Sequence, residues 1–180
     1  MVFLWGMNRE FPELTLHNML VSDDMPNEYH ALFEEASFGK NISVYLYISS
    51  KTSPNDAPKG CENWFVMIHA PHIENQDWEA LVESTRVKAI EKINRMLKTN
   101  IEKHIVNEER ITPLTIRDEY RSAFGSVYGN SSNNKFSTFL RHPNFTSKIK
   151  HLYFVGGTVH PGAGLPMCLN SSKIVDGLFE

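Results

Sequence analysis

Cysteine is nearly absent from these 180 residues: Cys61 and Cys168 are the only two. They lie far apart and match no metal-ligand spacing, and so sparse a thiol content fits a reducing, cytoplasmic setting. An excess of one charge is missing too. The chain has 18 Lys and Arg against 21 Asp and Glu, a net charge of −3, so no basic footprint argues for nucleic acid. No apolar run approaches the roughly 18 residues that a membrane span requires. The eight histidines show no HExxH or comparable spacing, which argues against a metal site. There is no Gly-x-Ser-x-Gly elbow and no Cys/His nucleophile signature. Nor is there a Gly-x-Gly-x-x-Gly, so the usual pyrophosphate-binding βαβ unit lies outside these residues.

What is present is an ordinary globular composition, 41% hydrophobic and 22% charged, in a chain long enough to bury a sizeable core. The opening run Met1-Val2-Phe3-Leu4-Trp5-Gly6-Met7 is too short for a signal-peptide core, lacks a basic leader and reads as a strand. Residues 13–21 alternate and predict a second strand. An acidic turn with Asp23, Asp24 and Pro26 follows, then a short helix over 28–33. Residues 42–49 give the clearest strand, with Ile42, Val44, Leu46 and Ile48 opposite Ser43, Tyr45, Tyr47 and Ser49. Residues 63–70 give another, with Trp64, Val66 and Ile68 opposite Phe65, Met67 and His69. Both faces of this strand are apolar or aromatic, which predicts cover on both sides. Such strands form either the floor of a pocket for a long apolar ligand or an ordinary sheet core.

Residues 75–98 predict a long packing helix, N-capped by Asn75, with Trp78, Val82, Thr85, Ala89, Ile93 and Met96 on one side. Residues 107–110 read as a polar stretch, and the Thr112-Pro113 step as a turn or helix entrance. Residues 130–134 read as a polar loop and 136–141 as a short extended segment.

The strongest chemical signal lies near the end. Residues 151–155 predict a buried strand, and four glycines and two prolines follow within residues 156–166. A helix over 165–179 comes next, with Met167, Ser171, Ile174 and Leu178 sharing a face. A strand, a glycine-rich turn and a helix start bring bare backbone and the positive end of a helix dipole against a nucleotide or flavin. The same glycines also suit a tight structural turn. His160 in the turn, Arg141 beside His142, and Cys168 at the helix start are weaker candidates. A structural hydrogen bond, a solvated loop and burial as a small hydrophobe are the respective alternatives.

The run Leu152-Tyr153-Phe154-Val155-Gly156-Gly157-Thr158-Val159-His160-Pro161-Gly162-Ala163-Gly164-Leu165-Pro166 resembles the C-terminal signature of bacterial-type phytoene desaturases, the FAD-dependent carotenoid desaturases of the amine-oxidase-like flavoprotein superfamily. Residues 57–65, 125–129 and 139–144 resemble further family segments in family order. Leu165 stands where the family usually has isoleucine. The resemblance implies an α/β fold that is part of an FAD-dependent oxidoreductase: a mixed substrate-domain sheet with a long packing helix, plus the last strand and helix of the FAD-binding domain. It implies that residues 1–145 belong to the substrate-binding domain and 146–180 to the FAD-binding domain. The chain is then expected to be a C-terminal portion whose first residue falls inside the substrate-binding region.

By the same resemblance, the cofactor is FAD. Gly156, Gly157 and Thr158 would approach its pyrophosphate and ribityl region, and Gly164, Leu165 and Pro166 its isoalloxazine. Tyr45, Tyr47, Phe65 and Met67 become candidates for lining a tunnel for an apolar polyene, a carotenoid precursor. No residue emerges as a catalytic acid or base. The implied partners are that substrate and a separate N-terminal nucleotide-binding half, with peripheral membrane contact following from a lipid-dissolved substrate. A flavin-dependent polyene isomerase or saturase, another amine-oxidase-like flavoenzyme, and a non-catalytic remnant are the alternatives to a desaturase.

Overall fold

The structure is a computed structural model describing residues 1–129 and 141–179. It falls into two compact units, Met1–Glu119 and Tyr120–Glu180.

The first unit is built on a five-stranded sheet. The strands are β1 (Val2–Met7), β2 (His17–Leu20), β3 (Val44–Tyr47), β4 (Glu62–Met67) and β5 (Ile105–Ile111), in the spatial order β2-β3-β4-β1-β5. Every pairing is antiparallel, so the sheet is not the mixed one the resemblance implies. The chain is thus a mixed α/β structure with one antiparallel sheet and four helices among the described residues. The opening strand lies inside the sheet, bonded to β4 on one side and β5 on the other.

The helices of this unit are α1 (Met25–Phe33), α2 (Trp78–Leu97) and α3 (Pro113–Tyr120), the last reaching one residue into the second unit. α1 starts earlier than its sequence pattern suggests because Asp24 caps it, accepting from the Asn27 N–H. The cap of α2 is Asp77, not Asn75: its side chain accepts from the Ala80 N–H. Trp78, Val82, Thr85, Ala89, Ile90 and Ile93 are buried on α2, whereas Met96 is 46% exposed, one turn past the core. Against them pack Phe3, Trp5, Met7, Val44, Leu46, Ile48, Trp64, Val66 and Ile68, alternate residues of the strands and their ends, in a continuous core. Burial of four large aromatic side chains here, Phe3, Trp5, Phe11 and Trp64, contributes on the order of 2–3 kcal/mol each.

Two sequence expectations for this unit change. The strand over 13–21 shortens to His17–Leu20, because residues 11–18 close a turn instead: the Leu14 N–H bonds to the Phe11 carbonyl, and the Thr15 N–H to Asn18 Oδ1. The polar stretch 107–110 is the core of β5. Among the described residues this is an edge strand, where charged side chains block pairing with another chain. Its Glu108 is held by the Trp5 indole N–H at 3.0 Å, Arg86 at 2.7 Å and Arg110 at 2.6 Å.

In the second unit the described regular element is α4 (Leu165–Asp176), preceded by a short 3₁₀ turn at Ala123–Gly125. The buried strand expected over 151–155 does not form. Tyr153 makes one isolated bridge with Phe145, and Val155 is 53% exposed. A run with strand propensity becomes a strand only beside a partner ladder, and no described strand lies alongside this one. On α4 the packed positions are Ser171 and Val175. Met167, Ile174 and Leu178 are 39–45% exposed, so the expected face is rotated. Gly177 ends the helix before the predicted 179. The polar loop at 130–134 and residues 136–140 of the extended segment lie outside the described residues.

Candidate functional site

Alternate residues of paired antiparallel strands share a face, so the register maps the side of the sheet away from α2. One row across all five strands reads Met19, Tyr45, Met67, Val2, Ile111. The next reads His17, Tyr47, Phe65, Leu4, Glu109. Tyr45 and Met67 are thus direct cross-strand partners, as are Tyr47 and Phe65. The structure brings all four substrate-lining candidates into one patch. With Val2, Leu4 and Ile111 they are half-buried, and Met19 is 62% exposed. The cover expected on both sides of β4 is therefore complete on the α2 side and partial here.

The first row is apolar but for the Tyr45 hydroxyl, which is hydrogen-bonded to His17 Nδ1 at 2.8 Å. Four strand spacings of about 4.8 Å give it a span of about 19 Å. The second row turns polar at both ends, at His17 and Glu109. A further row is polar: Asn63 pairs with Gly6 and Gly6 with Asn107, and the Asn63 amide donates to Ser49 Oγ at 2.8 Å. The face thus offers an apolar lane with a polar border.

The second unit carries the glycine-rich turn. Gly156 (φ +128°) and Gly164 (φ +98°) occupy conformations that L side chains rarely adopt, and a Cβ at either would meet nothing within 4 Å. On the side where a Cβ would stand, both open onto free space. Gly157 and Gly162 differ, because a Cβ would press on Cys168 Sγ at 3.4 Å and on Arg141 Nε at 3.3 Å. Gly164 is also the N-cap of α4, and no side chain hydrogen-bonds there; Pro166 sits in the first turn, where its missing N–H costs nothing. Leu165 is 79% exposed.

A polar hub that the sequence patterns did not single out holds this turn. Asn144 and Ser171 are buried. The Asn144 side-chain amide donates to the Phe154 carbonyl at 3.0 Å, the His160 carbonyl at 2.9 Å and Ser171 Oγ at 2.8 Å. Ser171 Oγ accepts from the Gly156 N–H at 3.2 Å, and the Phe154 N–H donates to the Asn144 carbonyl at 2.7 Å. Two side chains therefore tie the segment before the turn, the turn itself and α4 together. Among the weaker candidates, Arg141 donates to the Tyr128 carbonyl at 2.9 Å and the Gly157 carbonyl at 3.3 Å. The His160 N–H donates to the His142 carbonyl while its ring is exposed, and Cys168 is a half-buried free thiol. No described helix is long and apolar enough to cross a membrane.

These residues fit a flavin nucleotide on one side: bare glycine backbone beside an uncapped helix N-terminus is a ready anion and dipole cradle. No family model matches the chain. It is 48% identical over 179 residues, 99% of its length, to a 1-hydroxycarotenoid 3,4-desaturase of Flavobacterium sp. (strain P99-3). It is 36% identical over 176 residues to a 4,4'-diapolycopene oxygenase of Methylomonas sp, and 33% identical over 173 residues to a 4,4'-diaponeurosporene oxygenase of Staphylococcus haemolyticus (strain JCSC1435). These matches cover 94% and 95% of the chain. The chain spans 34–37% of the length of these three relatives. Over nearly all of its own length it is homologous to carotenoid desaturases and oxygenases, as its closing motif suggests.

Proposed function

We propose, from that homology, that these residues are the C-terminal part of an FAD-dependent carotenoid desaturase that introduces C=C bonds into a long polyene. The observation that carries the reading is the largely apolar row Met19-Tyr45-Met67-Val2-Ile111 on a chain so related. A hydrocarbon chain gains from lying on such a lane, where it removes half-exposed apolar surface from water. Tyr45, Tyr47, Phe65 and Met67 are assigned to that floor. Identity of 48% to a desaturase, against 33–36% to the two oxygenases, favours desaturation over oxygen insertion.

Bound FAD would supply the redox chemistry, accepting a hydride equivalent from the polyene. The protein's part is to bind, orient and exclude water. Gly156, Gly157 and Thr158 are assigned to the pyrophosphate and ribityl side, since the missing Cβ at Gly156 lets a ligand approach the backbone there closely. Gly164, Leu165 and Pro166 are assigned to the ring side, where the positive end of α4 favours the extra electron density of the reduced form. Residues 146–180 then serve the cofactor and residues 1–145 the substrate. A nucleotide-binding half outside these 180 residues completes the site, so this chain alone is inactive and does not retain FAD.

The test replaces the matching segment of the Flavobacterium desaturase with these 180 residues and expresses the chimera in cells that make the acyclic polyene. Added conjugation shifts the extracted pigment to the red, and flavin copurifies with the chimera. A chimera that carries flavin but leaves the pigment's number of double bonds unchanged contradicts desaturation and points to an isomerase.

A further inference from the structure

The glycine-rich turn is braced from behind by one long side chain. Arg141 is half-buried, and its Nη1 donates to the Tyr128 carbonyl at 2.9 Å and to the Gly157 carbonyl at 3.3 Å. A Cβ at Gly162 would stand 3.3 Å from Arg141 Nε, 3.6 Å from Cδ and 3.8 Å from Cζ, so the guanidinium lies close against the backbone there. Three stretches of chain thus meet on one planar group: the end of residues 120–129, the start of the turn and its middle. The base of the arm is fixed as well, because the carbonyl of the next residue, His142, accepts from the His160 N–H at 2.9 Å.

This brace fixes the orientation of one peptide. In a planar trans peptide the C=O and the N–H point in opposite directions. Holding the Gly157 carbonyl on the guanidinium therefore turns the N–H of the same peptide, which belongs to Thr158, away from Arg141. On either side the donors are used: the Gly156 N–H on Ser171 Oγ and the His160 N–H on the His142 carbonyl. The Thr158 N–H has no partner among the described residues, and Thr158 is exposed. The bond to Tyr128 holds the neighbouring Gly129 against Thr158, where a Cβ would come within 3.4 Å of Thr158 Cβ and of its carbonyl oxygen. A lysine in place of Arg141 ends one bond short of Nη1, on a flexible stem that lacks the planar face laid on Gly162.

On the reading of this turn as the cofactor side, we propose that Arg141 is a positioning residue for the flavin nucleotide. It aims the Thr158 N–H at an oxygen of the pyrophosphate by holding the Gly157 carbonyl behind it, and it does not itself touch the phosphates. Its contribution is orientation, so a positive charge alone does not replace it.

The test titrates the 180-residue chain with inorganic pyrophosphate and with FAD, each to millimolar concentration, and follows the backbone amides and the Arg141 Nε–H by NMR. In the wild type both ligands are expected to move the Thr158 amide proton downfield, the mark of an N–H that gains an anionic acceptor, while the Arg141 Nε–H shifts far less. Arg141→Met and Arg141→Lys should both weaken pyrophosphate binding about tenfold, the lower end for a hydrogen bond to a charged group. Retained exchange protection of the Gly156 amide, held on Ser171, reports that the turn is still folded in each variant. Full affinity in Arg141→Lys overturns the assignment by showing that charge suffices, and full affinity in Arg141→Met overturns it by showing that the arginine is idle. Should both variants lose the Gly156 protection, the wild type decides. An Nε–H that moves as far as the Thr158 amide makes Arg141 a direct phosphate ligand and overturns the positioning role; an Nε–H that stays in place upholds it. A shift with pyrophosphate but none with FAD marks an adventitious anion and also overturns it. A wild type in which neither ligand moves any amide of residues 156–165 removes the cofactor reading, and the inference with it.

Discussion

The two units of this chain are held together by different means. The first closes around a core of twenty buried hydrophobic side chains, from Phe3 and Trp5 on β1 to Ile93 on α2 and Ile101. In the second, Val159 and Val175 are the buried hydrophobic side chains among the described residues, while Leu165, Leu169, Val155 and Phe179 are 53–79% exposed. Its shape comes instead from the Asn144–Ser171 hub and from glycines in left-handed or extended-positive conformations. Non-directional burial dominates the first unit, whereas hydrogen bonds worth about 1 kcal/mol each shape the second. A cofactor-side turn that relies on further surface for its stability is what the proposed function requires.

The largest test of this difference is Trp64→Ala. It empties a core position between Trp5 and Phe11 and is expected to cost about 3–5 kcal/mol, read from the denaturant midpoint of tryptophan emission. Amide exchange of the second unit should be unaffected, and a parallel loss there would break the contrast. Next comes Asn144→Ala, which strands the Phe154 and His160 carbonyls. It should lower local stability by about 2–3 kcal/mol, seen as faster exchange of the Phe154, Gly156 and His160 amides, with the tryptophan midpoint unmoved. Gly164→Ala forces a side chain into φ +98° and should cost about 1–2 kcal/mol, confined to α4 and the turn.

The smallest effect is electrostatic and belongs to the first unit. Burial pushes the Glu108 carboxyl up, but hydrogen bonds from Arg86 and Arg110 outweigh it and leave the group below the ordinary carboxylate range. The folded form therefore releases this proton more readily than the unfolded chain. The resulting stability is present at neutral pH and is lost as pH falls below the ordinary carboxylate value of about 4.5. Glu108→Gln should flatten that acid limb only slightly, because Arg86 and Arg110 keep their ion pairs to Glu102 and Glu83. A matching change in the second unit's exchange would show that the units are not energetically separate.

The same division explains what the sequence made legible. Strands β3 and β4 declare themselves through alternation at Val44, Leu46, Trp64 and Val66, and α2 through its buried stripe, because apolar burial leaves a periodic trace. β5 is hidden because Glu108 and Arg110 meet partners from α2 and β1, and a charged edge strand looks like a loop. The glycine-rich turn is visible because positive φ demands glycine. The hub that holds it is not, because Asn144 and Ser171 stand 27 residues apart and polar pairs have no period. The strand expected over 151–155 has the right side chains but lacks a described partner, and propensity does not supply one.

The most direct test of the whole account is native-state amide exchange of the 180-residue chain, with and without millimolar FAD. Strands β1 and β4 are expected to exchange only through global opening while residues 154–168 exchange at least about a hundredfold faster, a gap of about 3 kcal/mol. FAD is expected to slow exchange at 154–168 alone and to be lost on gel filtration. Equal protection in both units, or exchange at 154–168 indifferent to FAD, would contradict the account.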